Sequence, residues 1–185
     1  DATYESESER NNILGMALWH RAFRYYRLCM LFNDIPAVFT EVETPVTNLC
    51  SVERDGILKK IKSDMEFAVQ WVAEDNSRGR ISKGACYHLL AKICLTLGDF
   101  DEAIKATNAV IDGGRYSLMT NRFGVDVTDN TKNVLWDLHR PLNKNSTENK
   151  EVLLATLDRY EYQTAKSSQK TLAMRNFLPF WANTT

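Results

Sequence analysis

Three histidines, His20, His88 and His139, are the side chains of this 185-residue chain best suited to acid–base or metal chemistry near neutral pH. They are far apart in sequence, and none belongs to a metal-ligand spacing such as H-E-x-x-H. His20 and His88 lie inside amphipathic helical patterns, where a structural histidine is the simpler reading. No G-x-S-x-G and no phosphate-binding glycine loop occurs. Asp101-Glu102 opens a helical stretch, where the helix dipole favours acids without any catalytic task. Cys29, Cys50, Cys86 and Cys94 form no C-x-x-C pair. Cys86 and Cys94 stand about 12 Å apart along one helix, beyond disulfide reach. Cys29 and Cys50 could meet across a loop, but buried free thiols are the preferred reading. Neither catalysis, nor a cofactor, nor a metal is expected.

Binding chemistry is better represented. Trp136, Tyr160, Tyr162, Phe177, Phe180 and Trp181 fall in the less regular second half of the chain. Aromatic faces stack against the apolar C–H faces of sugar rings, and they also suit peptide. Tyr160, Tyr162, Phe180 and Trp181 are the candidate ligand-binding residues, whereas Trp136 and Phe177 read more simply as core. The formal net charge of −1 gives no basic surplus, so nucleic acid is not an expected partner. Lys59-Lys60-Ile61-Lys62 is interleaved with Asp55, Asp64 and Glu66 and reads as a solvated helix face. No apolar run approaches the ~20 residues of a membrane-spanning helix. No signal peptide opens the chain, and a start at Asp1-Ala2-Thr3 is expected to follow processing or truncation.

The elements that would carry these residues are mostly helices. Arg10 to Phe32 places Leu14, Leu18, Ala22, Tyr25, Leu28 or Cys29, and Phe32 on one stripe, with Arg21, Arg24 and Arg27 on its flank. Asn33-Asp34 and Pro36 supply a stop. Ile35 to Cys50, with two prolines and no helical period, is a crossing loop. A second helix is expected from Val52 to Ala73, capped by Ser51, with Ile57 or Leu58, Ile61, Met65, Ala68 and Val72 facing inward. The sharpest pattern is Gly79 to Leu118. It predicts a helix from a Ser82 cap to Leu97, a break at Gly98-Asp99, and a helix from Asp101 to Gly113-Gly114. Tyr87, Leu90, Ala91, Cys94, Ala103 and Thr107 sit at tetratricopeptide offsets. Small Ala91 and Ala103 would let the backbones approach, with Tyr87, Leu90 and Phe100 filling around them. Beyond Tyr116 the order weakens. Asn133 to Leu138 and Glu151 to Asp158 are short apolar runs, of strand length but ambiguous with helix.

Several of these segments together resemble the SusD/RagB family. Arg21-Ala22-Phe23-Arg24-Tyr25-Tyr26-Arg27-Leu28 and Leu31-Phe32-Asn33-Asp34-Ile35-Pro36 are similar to its RAFYYFRL…LFGDVP helix. Gly79-Arg80-Ile81-Ser82-Lys83-Gly84-Ala85 through Leu97-Gly98-Asp99-Phe100 resembles its GRATKGAA…LGDY hairpin. Val110 to Leu118 resembles VIDSGKYSL, Asn149 to Leu153 resembles NKEVI, and Trp136 to Pro141 resembles a WDLHRP stretch. Asn33 departs from the family's glycine, yet asparagine tolerates the left-handed conformation.

The resemblance implies a mainly α fold, with tetratricopeptide-like antiparallel helix hairpins forming an α/α superhelix. A helical region over 1–118 would be followed over 119–185 by an irregular part, open to short strands and truncated at its C-terminus. It implies a non-catalytic, lipid-anchored outer-membrane protein of Bacteroidetes that captures glycan, less often peptide. Delivery would be to a SusC-like TonB-dependent transporter. The lipidated cysteine would precede this chain, since all four cysteines lie inside the matched stretch. No family motif fixes the ligand contacts, so Tyr160, Tyr162, Phe180 and Trp181 rest on their chemistry alone. A helical-repeat scaffold that binds a partner protein is the alternative.

Overall fold

In a computed structural model of the chain, residues 3–46, 48–74, 79–144 and 146–155 are described. Ser6 opens the first helix, α1 (Glu7–Phe32), by accepting a hydrogen bond from the Glu9 amide at 3.1 Å. The helix therefore starts earlier than its apolar stripe. It ends at Asn33, which takes φ +64° and returns its amide to the Cys29 carbonyl, as the stop signal predicts. A minimal antiparallel pair follows, β1 (Ile35–Pro36) with β2 (Ser51–Val52). Ser51 is thus a strand residue and not a helix cap. The second helix, α2 (Arg54–Trp71), has Glu53 at its N-cap with no side-chain cap.

The predicted hairpin forms as α3 (Lys83–Leu97) and α4 (Phe100–Ile111). Ser82 caps α3 by accepting the Ala85 amide, and Gly98 closes it at φ +80°, where a side chain would be strained. Helices α1, α2 and α3 pack in sequence order around Trp19, Ile57, Ile61, Met65, Leu89 and Ile93, and α4 closes on α3 through Ala103 and Ala106. The Trp19 indole also donates to the Ala85 carbonyl at 3.1 Å, tying α1 to the first turn of α3.

The buried line of α1 corrects the expected stripe. Gly15, Trp19, Ala22 and Cys29 are buried, whereas Leu14, Leu28 and Phe32 are exposed. Close approach explains the difference: a Cβ on Gly15 would come within 2.7 Å of Val72 Cγ2. At that crossing only a residue without a side chain fits, while Trp19, one turn on, is still buried. Phe100 is also corrected. It is 61% exposed and does not fill the hairpin, while Ala103 is buried and Ala91 partly so.

After α4, the chain returns to the start of α3. Tyr116 donates to Ser82 Oγ at 3.3 Å, Ser82 donates to the Leu153 carbonyl at 2.8 Å, and the Ser117 amide donates to the Lys150 carbonyl at 3.1 Å. The ambiguous run at 133–138 resolves as a short helix, α5 (Val134–His139), capped by Asn133 through the Trp136 amide at 3.0 Å. No strand forms over 151–155, and the remainder of that run, 156–158, lies outside the described residues.

The Tyr116 ring occupies the space a side chain at position 84 would need, since a Cβ on Gly84 would lie 2.6 Å from it. Gly84→Ala gains helix propensity of up to ~1 kcal/mol but forces the anchored ring to move, at a cost of about 1–3 kcal/mol. Net destabilisation is expected in thermal or urea unfolding. In a Tyr116→Ala background the same substitution should become neutral or stabilising; an unchanged cost there would mean that the ring is not the obstacle.

Candidate functional site

The side chains that sequence places as ligand contacts, Tyr160, Tyr162, Phe180 and Trp181, lie outside the described residues, as does Phe177. Among the described residues, Trp136 offers the clearest binding surface. It is 41% exposed, so it is a surface residue rather than a core one. Its position is built from the loop before it. Between Phe123 and α5, a 3-10 turn (Gly124–Asp126) presents the Asp126 carboxylate, which accepts the Trp136 Nε1 hydrogen at 2.8 Å. Arg140 Nε stands 2.7 Å from the same Asp126 oxygen as an ion pair, but its hydrogen has no acceptor in hydrogen-bond geometry. Lys132 Nζ lies 4.2 Å and the Arg140 guanidinium carbon 5.6 Å from the Trp136 ring centroid, both within cation–π range.

A buried polar lock holds this surface. Asp137 has no accessible surface and accepts from Arg122 Nε at 2.5 Å, from Arg122 Nη2 at 3.2 Å and from the Phe123 amide at 3.1 Å. Arg122 also donates to the carbonyls of Asp126, Asp129 and Lys132, so one guanidinium gathers the loop that carries Lys132 and Asp126. Buried Asn143 donates to the Asp137 carbonyl at 3.0 Å and accepts from the Val125 amide at 3.1 Å. Nearly every polar group in this small lobe has a partner, which fixes loop backbone that no apolar core could hold.

A second surface surrounds the crossing loop. Tyr25 Oη donates to the Val38 carbonyl at 2.9 Å and accepts from the Val38 amide at 2.7 Å, while Arg21 Nη1 donates to the Phe39 carbonyl at 3.2 Å. Beneath it Asp64, 3% exposed, accepts Arg21 at 2.8 Å and Lys60 at 2.8 Å. The loop tip then encloses an open cavity of about 430 Å³ lined by Phe39, Glu41, Val42, Glu43, Val46 and Leu49, among others. The basic run on α2 is therefore only partly a solvated face: Lys60 helps hold Asp64, Lys62 pairs with Asp99 at 2.8 Å, and Ile61 is buried in the core.

Each histidine has its own local setting. His139 Nδ1 lies 2.7 Å from the Leu135 carbonyl, His20 meets the edge of Trp19, and burial holds the His88 pKa below its ordinary value with Lys92 adding to the effect. Among the described residues, no group of His, Cys, Asp and Glu is arranged to hold a metal. All four cysteines are free. Cys29, Cys86 and Cys94 are buried as expected, and burial pushes the Cys86 thiol up to about 12, whereas Cys50 is exposed. No described helix is long and apolar enough to cross a membrane.

Residues 2–95 match the family model SusD-like_3, described as starch-binding and associating with the outer membrane. The chain belongs to the SusD-like family. A curated relative, SusD-like protein P2 of Formosa agariphila, is 30% identical over 111 residues, which is 58% of this chain and 22% of that protein. A SusD-like protein of Bacteroides fragilis shares the fold with TM-score 0.67 and 18% identity, over 84% of this chain and 29% of its own. A SusD superfamily protein of Bacteroides vulgatus has TM-score 0.59 and 24% identity, over 69% and 29%. A laminarin-binding SusD-like protein has TM-score 0.56 and 23% identity, over 63% and 27%. This SusD-like chain spans less than a third of the length of each of these relatives.

The hydrogen bond from Arg122 first, then that from the Phe123 amide, hold the Asp137 carboxyl below the usual carboxylate range against the opposing effect of desolvation. A carboxyl depressed in the folded state contributes stability above its unfolded pKa, and that stability is lost as pH falls through the folded value. Asp137→Asn should therefore lower the melting temperature most at neutral pH. The gap to the unsubstituted protein should narrow on acidification below about pH 4. A gap independent of pH would show that the charge of Asp137 is not what holds the lobe.

Proposed function

We propose that this SusD-like chain belongs to a protein that captures glycan at the bacterial cell surface. The captured chain would pass to a SusC-like TonB-dependent transporter in the outer membrane, with no catalytic step. The observation that carries this reading is the match of residues 2–95 to a family described as starch-binding and outer-membrane-associated. Solved neighbours named as laminarin-binding and as carbohydrate-binding support glycan over peptide. In this reading a lipid at an upstream cysteine anchors the protein. The helical part up to Leu118 is scaffold, and the part after it carries the ligand. Trp136, Tyr160, Tyr162, Phe180 and Trp181 supply stacking faces, which suits rings with apolar C–H surfaces better than a globular partner.

One observation favours a second reading, a helical-repeat scaffold for a partner protein. Phe100, Ile104 and Ile111 form an exposed apolar stripe along α4, at 61%, 58% and 63% exposure. Thr107, on the same face, returns its hydroxyl to the Ala103 carbonyl at 2.7 Å.

Calorimetry of the full-length protein against a panel of neutral and acidic oligosaccharides, with affinity capture of membrane extracts, separates the two readings. Saturable glycan binding and recovery of a TonB-dependent transporter are expected. Alanine at Tyr160, Tyr162, Phe180 and Trp181 together should weaken glycan binding at least about tenfold, as loss of stacking worth ~1 kcal/mol or more implies. A full-length protein that binds no glycan and no peptide, and recovers no transporter, would overturn the proposal.

A further inference from the structure

The surface around Trp136 carries more charge than a neutral sugar needs. Stacking requires an exposed ring held still, and the Asp126 carboxylate provides that by fixing the indole N–H at 2.8 Å. Yet two cations stand on the same ring, Lys132 Nζ at 4.2 Å and the Arg140 guanidinium at 5.6 Å from its centroid. Lys132 makes no ion pair with a carboxylate among the described residues. Arg140 Nε is buried and pairs with Asp126 at 2.7 Å, while the side chain as a whole is 39% exposed, so a ligand would meet its other guanidinium nitrogens. A neutral hydroxyl meets these cations only as a dipole, whereas an anionic group adds the attraction between two opposite full charges. The 185-residue chain has a formal net charge of −1, so these residues together give no general attraction for anions, and a preference at this surface is local. The donors are also preorganised. Arg122 binds the carbonyls of Lys132 and Asp126, and Asp137 holds Arg122, so the loop bearing both residues is fixed before a ligand arrives.

We infer that Trp136, Lys132 and Arg140 form a contact site for an anionic sugar unit, one bearing a carboxylate or a sulfate ester. The ring takes the apolar face of the sugar, and Lys132 and the guanidinium nitrogens of Arg140 take the acid group. This rests on the glycan-capture reading and narrows its ligand class.

The test uses the full-length protein titrated with three probes of equal chain length: an oligogalacturonate, a sulfated galactan oligosaccharide and a neutral laminari-oligosaccharide. At least one acidic probe should bind about tenfold more tightly than the neutral one, through the added attraction of an ion pair, and this advantage should shrink with added salt. The carboxylate and sulfate arms identify which anion is preferred. Lys132→Gln should bring the acidic-to-neutral ratio towards one, and Lys132→Arg should restore it. A purely structural role for Lys132 would leave that ratio unchanged. Melting curves check that each variant is folded. Equal affinity for neutral and acidic probes, or a ratio untouched by Lys132→Gln, overturns the inference while leaving glycan capture intact. Binding of no probe overturns both.

Discussion

The Ser82 hydroxyl is the point on which the described structure turns. A hydroxyl has one hydrogen to donate and two lone pairs to accept with, and Ser82 uses all three. It accepts the Ala85 amide as the cap of α3, accepts the Tyr116 hydroxyl from the chain leaving α4, and donates to the Leu153 carbonyl. The residue is completely buried, so none of these bonds competes with solvent. One small side chain thus sets where α3 begins and brings two later segments of the chain to the same place. Gly84, two residues on, has no side chain, and that is why the Tyr116 ring can reach it.

Much of this was legible in the residues. Ser82, Gly98 and the small residues of the α3–α4 hairpin announce their roles through cap chemistry, φ preference and spacing, all of which are local. Reading the helix from its apolar stripe, starting at Arg10, missed the S-x-x-E capping pattern of Ser6 and Glu9, where α1 actually begins. The stripe itself misled. Periodicity finds the apolar side of a helix, but how closely two helices approach decides which residues on it are buried. Ala22 and Cys29 of the stripe are buried, whereas Leu14, Leu28 and Phe32 are exposed and Gly15 and Trp19 are buried instead. The Arg122–Asp137 lock leaves no periodic trace at all. Its partners are 15 positions apart, Arg122 in irregular chain and Asp137 on the short α5, and their pairing is decided by folding rather than by sequence neighbourhood.

The two halves of the described chain are stabilised by different physics. From α1 to α4, apolar side chains leave water, and the polar groups that enter with them, such as Asp64 with Arg21 and Lys60, are paired at the edge. From Arg122 to Asn149, charge and amide groups satisfy one another around Asp137 and Asn143, with few apolar side chains buried. Directional bonds of this kind fix angles more sharply than apolar contact does. The Trp136 ring is held in its orientation by one such bond, from its N–H to Asp126.

The anchorage of the crossing loop separates stability from variation. Tyr25 and Arg21 fasten only its root, at Val38 and Phe39, and beyond Phe39 the described residues up to the second strand are largely exposed. Lengthening such a loop costs little, because closure entropy rises only with the logarithm of its length. Residues 40–46 and 48–50 can therefore be exchanged, extended or shortened over evolutionary time without loosening the helices below. The rim of the 430 Å³ cavity can therefore change with little cost to the helices below it.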